Sequence, residues 1–356
     1  MCTYLQRPSV VLLQAILSLG FWTSTCQGED CFAQAWQGTI GQTPVMMEFD
    51  NVGEDEALAG RYYYRTGMTD LLLQEDAKKK GLWRELDPKG KVTGLLSLTC
   101  QNNAVSGEWK SPNGKTVLPI RAEPATSYSD PRLDAAKPRV IKRGATRGHQ
   151  YEIIGVPGID AVQGLRLLGD TNGIQKINAT LRNQFLSDLE RATTCVSYGR
   201  LKRGQDHGYE HEAQYEVIAW NGNFVVIGSG ESGYCGGAHP YVEHGAMTYS
   251  LQSGEVEDVS LWLMDRYRED IALDTGLGKL LLKSYRAQQT EDDDQCPDYI
   301  EFSGSAVWPT DQGFIFFAST PYAQSACRGD IAVPYKAVLP YLSPDGRSRV
   351  GAFSKR

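Results

Sequence analysis

Several common signatures of function are missing from this chain. It has no stripe of lysine and arginine interleaved with aromatics, and its formal net charge is −7. Nucleic acid is therefore disfavoured as a partner, whereas a cationic partner would be drawn to an acidic surface. No two cysteines stand in a CxxC pair, so zinc-ribbon or thioredoxin-like chemistry lacks its usual scaffold. The run GSGESG (Gly228–Gly233) is not the G-x-S-x-G of a nucleophile elbow, and no strand-to-helix turn follows Ser229 or Ser232. The same run lacks the lysine and helix of a phosphate-binding loop. No cofactor fingerprint is present, so none is expected. Beyond the N-terminus no apolar stretch is long enough to span a bilayer.

What is present is an ordinary globular composition, 41% hydrophobic and 22% charged over 356 residues, enough for two domains. The N-terminus begins with Arg7 and an apolar run, Val10 to Trp22, followed by small and polar residues. That order predicts a secretory signal peptide over residues 1–28, cleaved near Gly28, and an exported, periplasmic protein. Weaker alternatives are secretion, a buried first helix, or a lipid anchor on Cys26. Thr23-Ser24-Thr25 lacks the leucine that lipidation wants. Cleavage removes Cys2 and Cys26 and leaves Cys31, Cys100, Cys195, Cys235, Cys296 and Cys327. In an exported chain these read as disulfides. The preferred pairing is Cys31–Cys100, Cys195–Cys235 and Cys296–Cys327; spacing alone leaves other connectivities open.

Residues 29–122 read as an antiparallel β domain, a meander or barrel. Alternation appears in TPVMMEF, GRYYYRT, GLWREL, VTGLLSLTC, VSGEWKS and KTVLPIRA, each bounded by turn residues. Gly60, Gly94 and Gly107 open successive strands, as a strongly curved sheet requires. Trp36, Trp83 and Trp109 are candidate core rings. Residues 123–148, with clustered prolines and charges, read as a surface linker. Residues 149–356 read as an α+β domain with an antiparallel sheet and packed helices. Its expected elements are a strand at Tyr151–Val156, an amphipathic helix carrying Ile174, Ile177, Leu181, Phe185 and Leu189, and a hairpin turning at Asn221-Gly222. A loop over Glu231–Gly245, a strand near Met247–Leu251 and a mostly helical Val259–Gln288 follow. Strands around GFIFFAS and DIAVPYKAVLPYL close the chain.

Two histidine groups invite a catalytic reading. His207-Gly208-Tyr209-Glu210-His211 spells H-x-x-E-H, which on a helix grips zinc. Here the flanking residues alternate as a strand, which would hold the two imidazoles about 13 Å apart at ~3.3 Å per residue. His239 and His244, with Glu243 beside them, offer a second metal-dependent or general-base hydrolase site. The favoured reading assigns neither metal nor catalytic role: Gly236, Gly237 and Pro240 shape the main chain, and the histidines are structural or recognition groups.

YCGGAHPYVEHGAMTYSLQSGEVEDVSLWL resembles the signature of the RsiV/PdaC-type extracytoplasmic domain family. The matching positions are Tyr234, Gly236, Gly237, Ala238, His239 and Pro240, then Ser253-Gly254 and Leu261–Leu263. The helix bearing Ile177-Asn178 and the closing segment FIFFASTPYAQSACRGDIAVPYKAVLPYL also match, so the resemblance covers residues 151–342. It implies an envelope-facing, non-catalytic binding module. In the family's anti-sigma-factor member that module binds lysozyme, and the same module accompanies a peptidoglycan deacetylase. The implied partners are thus a lysozyme-like cationic protein or cell-wall glycan. A contact role is carried over to Pro321, Tyr322, Tyr234, His239 and Pro240. The chain departs from the signalling role, having no internal membrane span and no sigma-binding segment. A purely structural envelope protein with no ligand is the remaining alternative.

Overall fold

The first eight strands close into a barrel: β1 (Ala35–Ile40), β2 (Thr43–Asn51), β3 (Leu58–Tyr64), β4 (Leu71–Asp76), β5 (Lys79–Leu86), β6 (Val92–Gln101), β7 (Ala104–Lys110) and β8 (Val117–Pro124). The computed structural model describes residues 32, 34–51, 58–65, 67, 69–129, 132–133, 136–203, 208–288 and 296–354. The expected signal peptide, Cys26, Cys31 and His207 lie outside those residues.

Each barrel strand pairs antiparallel with the next, and β1 pairs with β8 to close the ring, which leaves no free edge. The period of two puts Val45, Met47 and Phe49 of β2 inside, with Trp36 and Trp83 from facing strands. The strand-opening glycines permit close approach. A Cβ on Gly107 would lie 1.9 Å from the Ser97 carbonyl oxygen, and one on Gly94 would lie 2.2 Å from the Trp109 indole nitrogen. Trp109 is accordingly only partly buried. Its Nε1 donates to Glu85 Oε2 at 2.6 Å, the Tyr62 hydroxyl donates to the same oxygen at 2.6 Å, and the Thr93 hydroxyl donates to Oε1 at 2.6 Å. A carboxylate buried in the barrel is thus held by neutral donors, which offset its lost hydration.

The stretch 123–148, expected as a surface linker, is partly built into the structure. Tyr128 and Arg132 are buried. Asp70 accepts from Arg132 Nη1 at 2.5 Å, from the Tyr128 hydroxyl at 2.9 Å and from Ser197 on the following helix. This network fastens the barrel to the rest of the molecule. Residues Arg139–Thr146 form an edge strand, β9. Both its faces are largely exposed, so it has no inward apolar row for a reader of the sequence to see.

β9 begins a seven-stranded sheet with β10 (His149–Val156), β11 (Ile159–Leu167), β12 (Glu210–Trp220), β13 (Phe224–Tyr234), β14 (Tyr241–Ser250) and β15 (Val256–Glu257), ordered β15-β14-β13-β12-β11-β10-β9. All neighbours are antiparallel except β11 and β12. These run parallel because a long helix, α1 (Asn172–Arg203), carries the chain across between them. The predicted apolar stripe of α1, Ile174 to Leu189, is buried against the sheet. Asn178 fixes the helix lengthwise, its side-chain amide donating to the Leu167 carbonyl and accepting from the Leu167 N–H, both at 2.9 Å.

A second, three-stranded sheet of β16 (Glu301–Pro309), β17 (Gly313–Ser319) and β18 (Gly329–Pro334) packs with α2 (Gly276–Gln288), α3 (Tyr335–Val338) and α4 (Pro344–Ser354) around Trp262, Leu281, Tyr285 and Phe314. The architecture is the expected α+β fold with a barrel at its N-terminal end. Within it, Val259–Gln288 is helical only from Gly276. Its first part is two 3-10 turns separated by extended residues, where Leu263 bridges Leu342. Among the described residues no helix is long and apolar enough to cross a membrane.

Candidate functional site

The glycine-rich run after β12 is mostly strand. β13 continues to Tyr234 and β14 starts at Tyr241, pairing in register from Phe224↔Ser250 to Gly233↔Tyr241. Only Cys235–Pro240 is loop, far shorter than the Glu231–Gly245 expected. Ladder hydrogen bonds are made by the main chain, so glycines disguise a strand without preventing it. Gly236 and Gly237 have φ of +96° and +105°, angles that side chains strain to adopt. The Cys195–Cys235 disulfide ties this loop to α1, and Cys296–Cys327 ties the entry of β16 to the turn after β17. Both bridges are those expected. Cys100 is also disulfide-bonded; its expected partner, Cys31, lies outside the described residues.

The loop presents a ledge. The imidazole of His239 stacks on the ring of Tyr322, with centroids 3.9 Å apart and planes 21° off parallel. His239 Nδ1 lies 3.0 Å from its neighbour's Pro240 carbonyl oxygen, which makes it the protonated nitrogen. Pro321 caps the 3-10 turn Tyr322–Cys327 and leaves Tyr322 56% exposed. Tyr234 supports the loop from behind: its hydroxyl donates to the Gly237 carbonyl at 3.0 Å, and its ring meets Tyr209 edge-on. Of the five residues given a contact role, His239, Pro240, Pro321 and Tyr322 are therefore at one place, and Tyr234 braces it.

Next to the ledge lies an open groove of ≈ 450 Å³ on the face of the sheet away from α1. Gly228 and Gly230 form its floor, a Cβ on Gly230 meeting nothing within 4 Å. Glu212 and Glu216 of β12 and Asp330 of β18 give it carboxylates. His244 does not join His239. Its Nε2 is 2.9 Å from Asp330 Oδ1 and its ring meets Phe317 edge-on. Val242, 71% exposed, stands at the end of the groove nearest Pro240.

On the opposite face His211 is buried in the sheet. Its Nδ1 is hydrogen-bonded with the Tyr241 hydroxyl. Asp188 of α1 is buried beside it and accepts from the Tyr215 hydroxyl at 2.6 Å, while Glu231 is ion-paired with Arg191. Burial holds the His211 imidazole below its ordinary pKa, helped by Arg191 and opposed by Glu231, so it is neutral at pH 7. Burial likewise raises the Asp188 carboxyl, against the Tyr215 hydrogen bond and Arg191. Asp188 and Glu231 were missed in the sequence, and only Asp188 left a trace. Asp188 interrupts the apolar stripe of α1 three residues after Phe185. Glu231 lies opposite Ala213, two residues from His211, only because a bulge between Val217 and Ala219 shifts the β12–β13 register; a plain count from the Asn221-Gly222 turn would set it opposite Gln214, on the other face.

No family model matches the chain, and no curated protein matches it. The class that fold and site define is a barrel followed by an α+β unit with a disulfide-tied loop. Among solved structures it is similar to a DUF3298 family member from Bacteroides fragilis, at 14% identity and TM-score 0.40, over 62% of this chain and 98% of that one. It is also similar to a DUF3298 family protein from Pseudomonas aeruginosa PAO1, at 15% identity and TM-score 0.36, over 58% of this chain and 96% of that one. Likenesses at this level carry no functional inference.

Proposed function

We propose that this protein is an exported, non-catalytic binding module of the bacterial cell envelope, and that its ligand is a basic, lysozyme-like protein. The observation that carries the reading is the exposed His239–Tyr322 stack. It joins two segments far apart in sequence into one rigid aromatic ledge beside a carboxylate-lined groove. Aromatic anchors rimmed by charge are the usual means of gripping a protein surface, and acidic groups favour a cationic partner. The Gly-Gly-Ala-His-Pro element, resembling that of the RsiV/PdaC-type family, supports the same assignment. In this reading residues 149–356 form the binding domain, residues 29–122 a separate barrel domain, and residues 123–148 the connection between them.

Calorimetric titration with basic lysozymes and, separately, with soluble muropeptides tests it. Binding of lysozyme that weakens as salt rises agrees with the proposal. Binding of muropeptides alone would make it a glycan-binding module instead, and binding of neither would leave a structural envelope protein.

A further inference from the structure

His211 leads to an assignment that does not depend on the partner proposed above. It is 1% exposed, and among the described residues its Nε2 has no hydrogen-bond partner, while Nδ1 is taken by Tyr241. Buried polar atoms seldom go unpaired. One ring nitrogen of His211, one carboxylate oxygen of Asp188 and one of Glu231 all lie within 4.8 Å of one another. Tyr215 and Arg191 engage Oδ2 of Asp188 and Oε2 of Glu231, so each carboxylate retains a second oxygen.

We propose that Asp188, His211 and Glu231 form a binding site for a divalent transition-metal ion, zinc being the best match to one imidazole and two carboxylates. The His211 arrangement fits this use. A ligating imidazole normally has its other nitrogen held by a second group that fixes ring and tautomer, and here Tyr241 holds Nδ1 and leaves the Nε2 lone pair to the metal. Zinc bonds of ~2.0–2.1 Å place tetrahedral donors about 3.3 Å apart. Closing from within 4.8 Å falls mainly to Glu231, the least buried of the three. A fourth position is left for water. His211 also lines a cavity of ≈ 360 Å³ with Ser197, Arg200 and Glu212. The ion would pin α1 to β12 and β13, close to where the Cys195–Cys235 bridge pins the loop.

Arg191 opposes this charge, since its guanidinium pairs with Glu231 and is half exposed. The site therefore has a feature that separates it from a merely structural cluster: Arg191→Gln should tighten metal binding.

The test uses the full chain, freed of metal by chelation and titrated with zinc by calorimetry, with the visible absorption of the cobalt-substituted protein as a second readout. The expected result is one ion per chain at micromolar zinc or below. Glu231→Gln should weaken it roughly 100-fold or more and Tyr241→Phe roughly 10–100-fold, the range for a group that orients a ligand. Circular dichroism should stay unchanged in both variants. No uptake by the wild-type chain would overturn the proposal. So would uptake that Glu231→Gln and Tyr241→Phe leave unchanged, because the ion would then sit elsewhere, for example at His239 or His244.

Discussion

The imidazole of His239 lies flat on the phenol ring of Tyr322, 3.9 Å between centroids. The pair joins the β13–β14 loop to the turn after β17. Each ring limits the freedom of the other, so the ledge loses little entropy when a partner arrives. Replacing either residue by alanine should weaken partner binding and barely move the melting temperature, because Tyr322 is exposed. A double-mutant cycle on binding should give a coupling of about 0.5–1.5 kcal/mol, the range for aromatic pairs. Additive losses would mean that the stack does not act as a unit.

The Cys195–Cys235 bridge closes a loop that includes β12 and β13. Serine at both positions should lower stability by about 2–4 kcal/mol, measured by urea unfolding at equilibrium. The same variant should bind its partner more weakly, since the loop bearing His239 is no longer tied to α1. Peptide mapping without reductant checks the connectivity, and a bridge between Cys100 and any cysteine after Cys31 would contradict the account.

Asp70 receives three buried donors, one of them the guanidinium of Arg132, which is 1% exposed. Asp70→Ala removes from a dry environment the carboxylate that this guanidinium and the Tyr128 and Ser197 hydroxyls all donate to. Breaking a buried pair from one side costs about 3–5 kcal/mol. The loss should appear in thermal unfolding as early separation of the barrel transition from the rest, because the network is what joins them.

Glu152 gives a pH prediction with a definite sign. Hydrogen bonds from Arg166 and then Arg143 hold its carboxyl below the ordinary value of 4.5. A depressed folded pKa means stability that is present above pH 4.5 and is lost as pH falls through the lower folded value. Both arginines are largely exposed, so each pair contributes about 0–1 kcal/mol. Glu152→Gln should lower stability slightly at pH 7 and flatten its decline below pH 4.5, as followed by denaturant midpoints.

Much of the fold could be read from side-chain periodicity, and what escaped had none. The barrel strands alternate cleanly because one face is a closed core, and the stripe from Ile174 to Leu189 is buried as a single row. β9 escaped because neither of its faces is buried; the end of β14 was expected as the strand near Met247–Leu251, but its first part was hidden because His244 and Gly245 break the alternation. β11 was missed as well, because its buried residues Val162, Leu165 and Leu167 do not keep a period of two across Gly164, on which Phe185 sits. For the site, the shape of the Cys235–Pro240 loop was legible from its paired glycines and proline. The company of His211 was not, because Asp188 reaches it through packing of a helix on a sheet and Glu231 through a bulge in the β12–β13 ladder. No spacing rule encodes either contact.

The most direct test of the central claim is calorimetry of the purified protein and its Tyr322→Ala variant against a basic lysozyme, at low and moderate salt. The account predicts saturable binding that salt weakens and that the substitution reduces at least tenfold, about 1.4 kcal/mol, with the fold intact. Heat-silent titrations at both salts, or equal affinity for the two proteins, would contradict it.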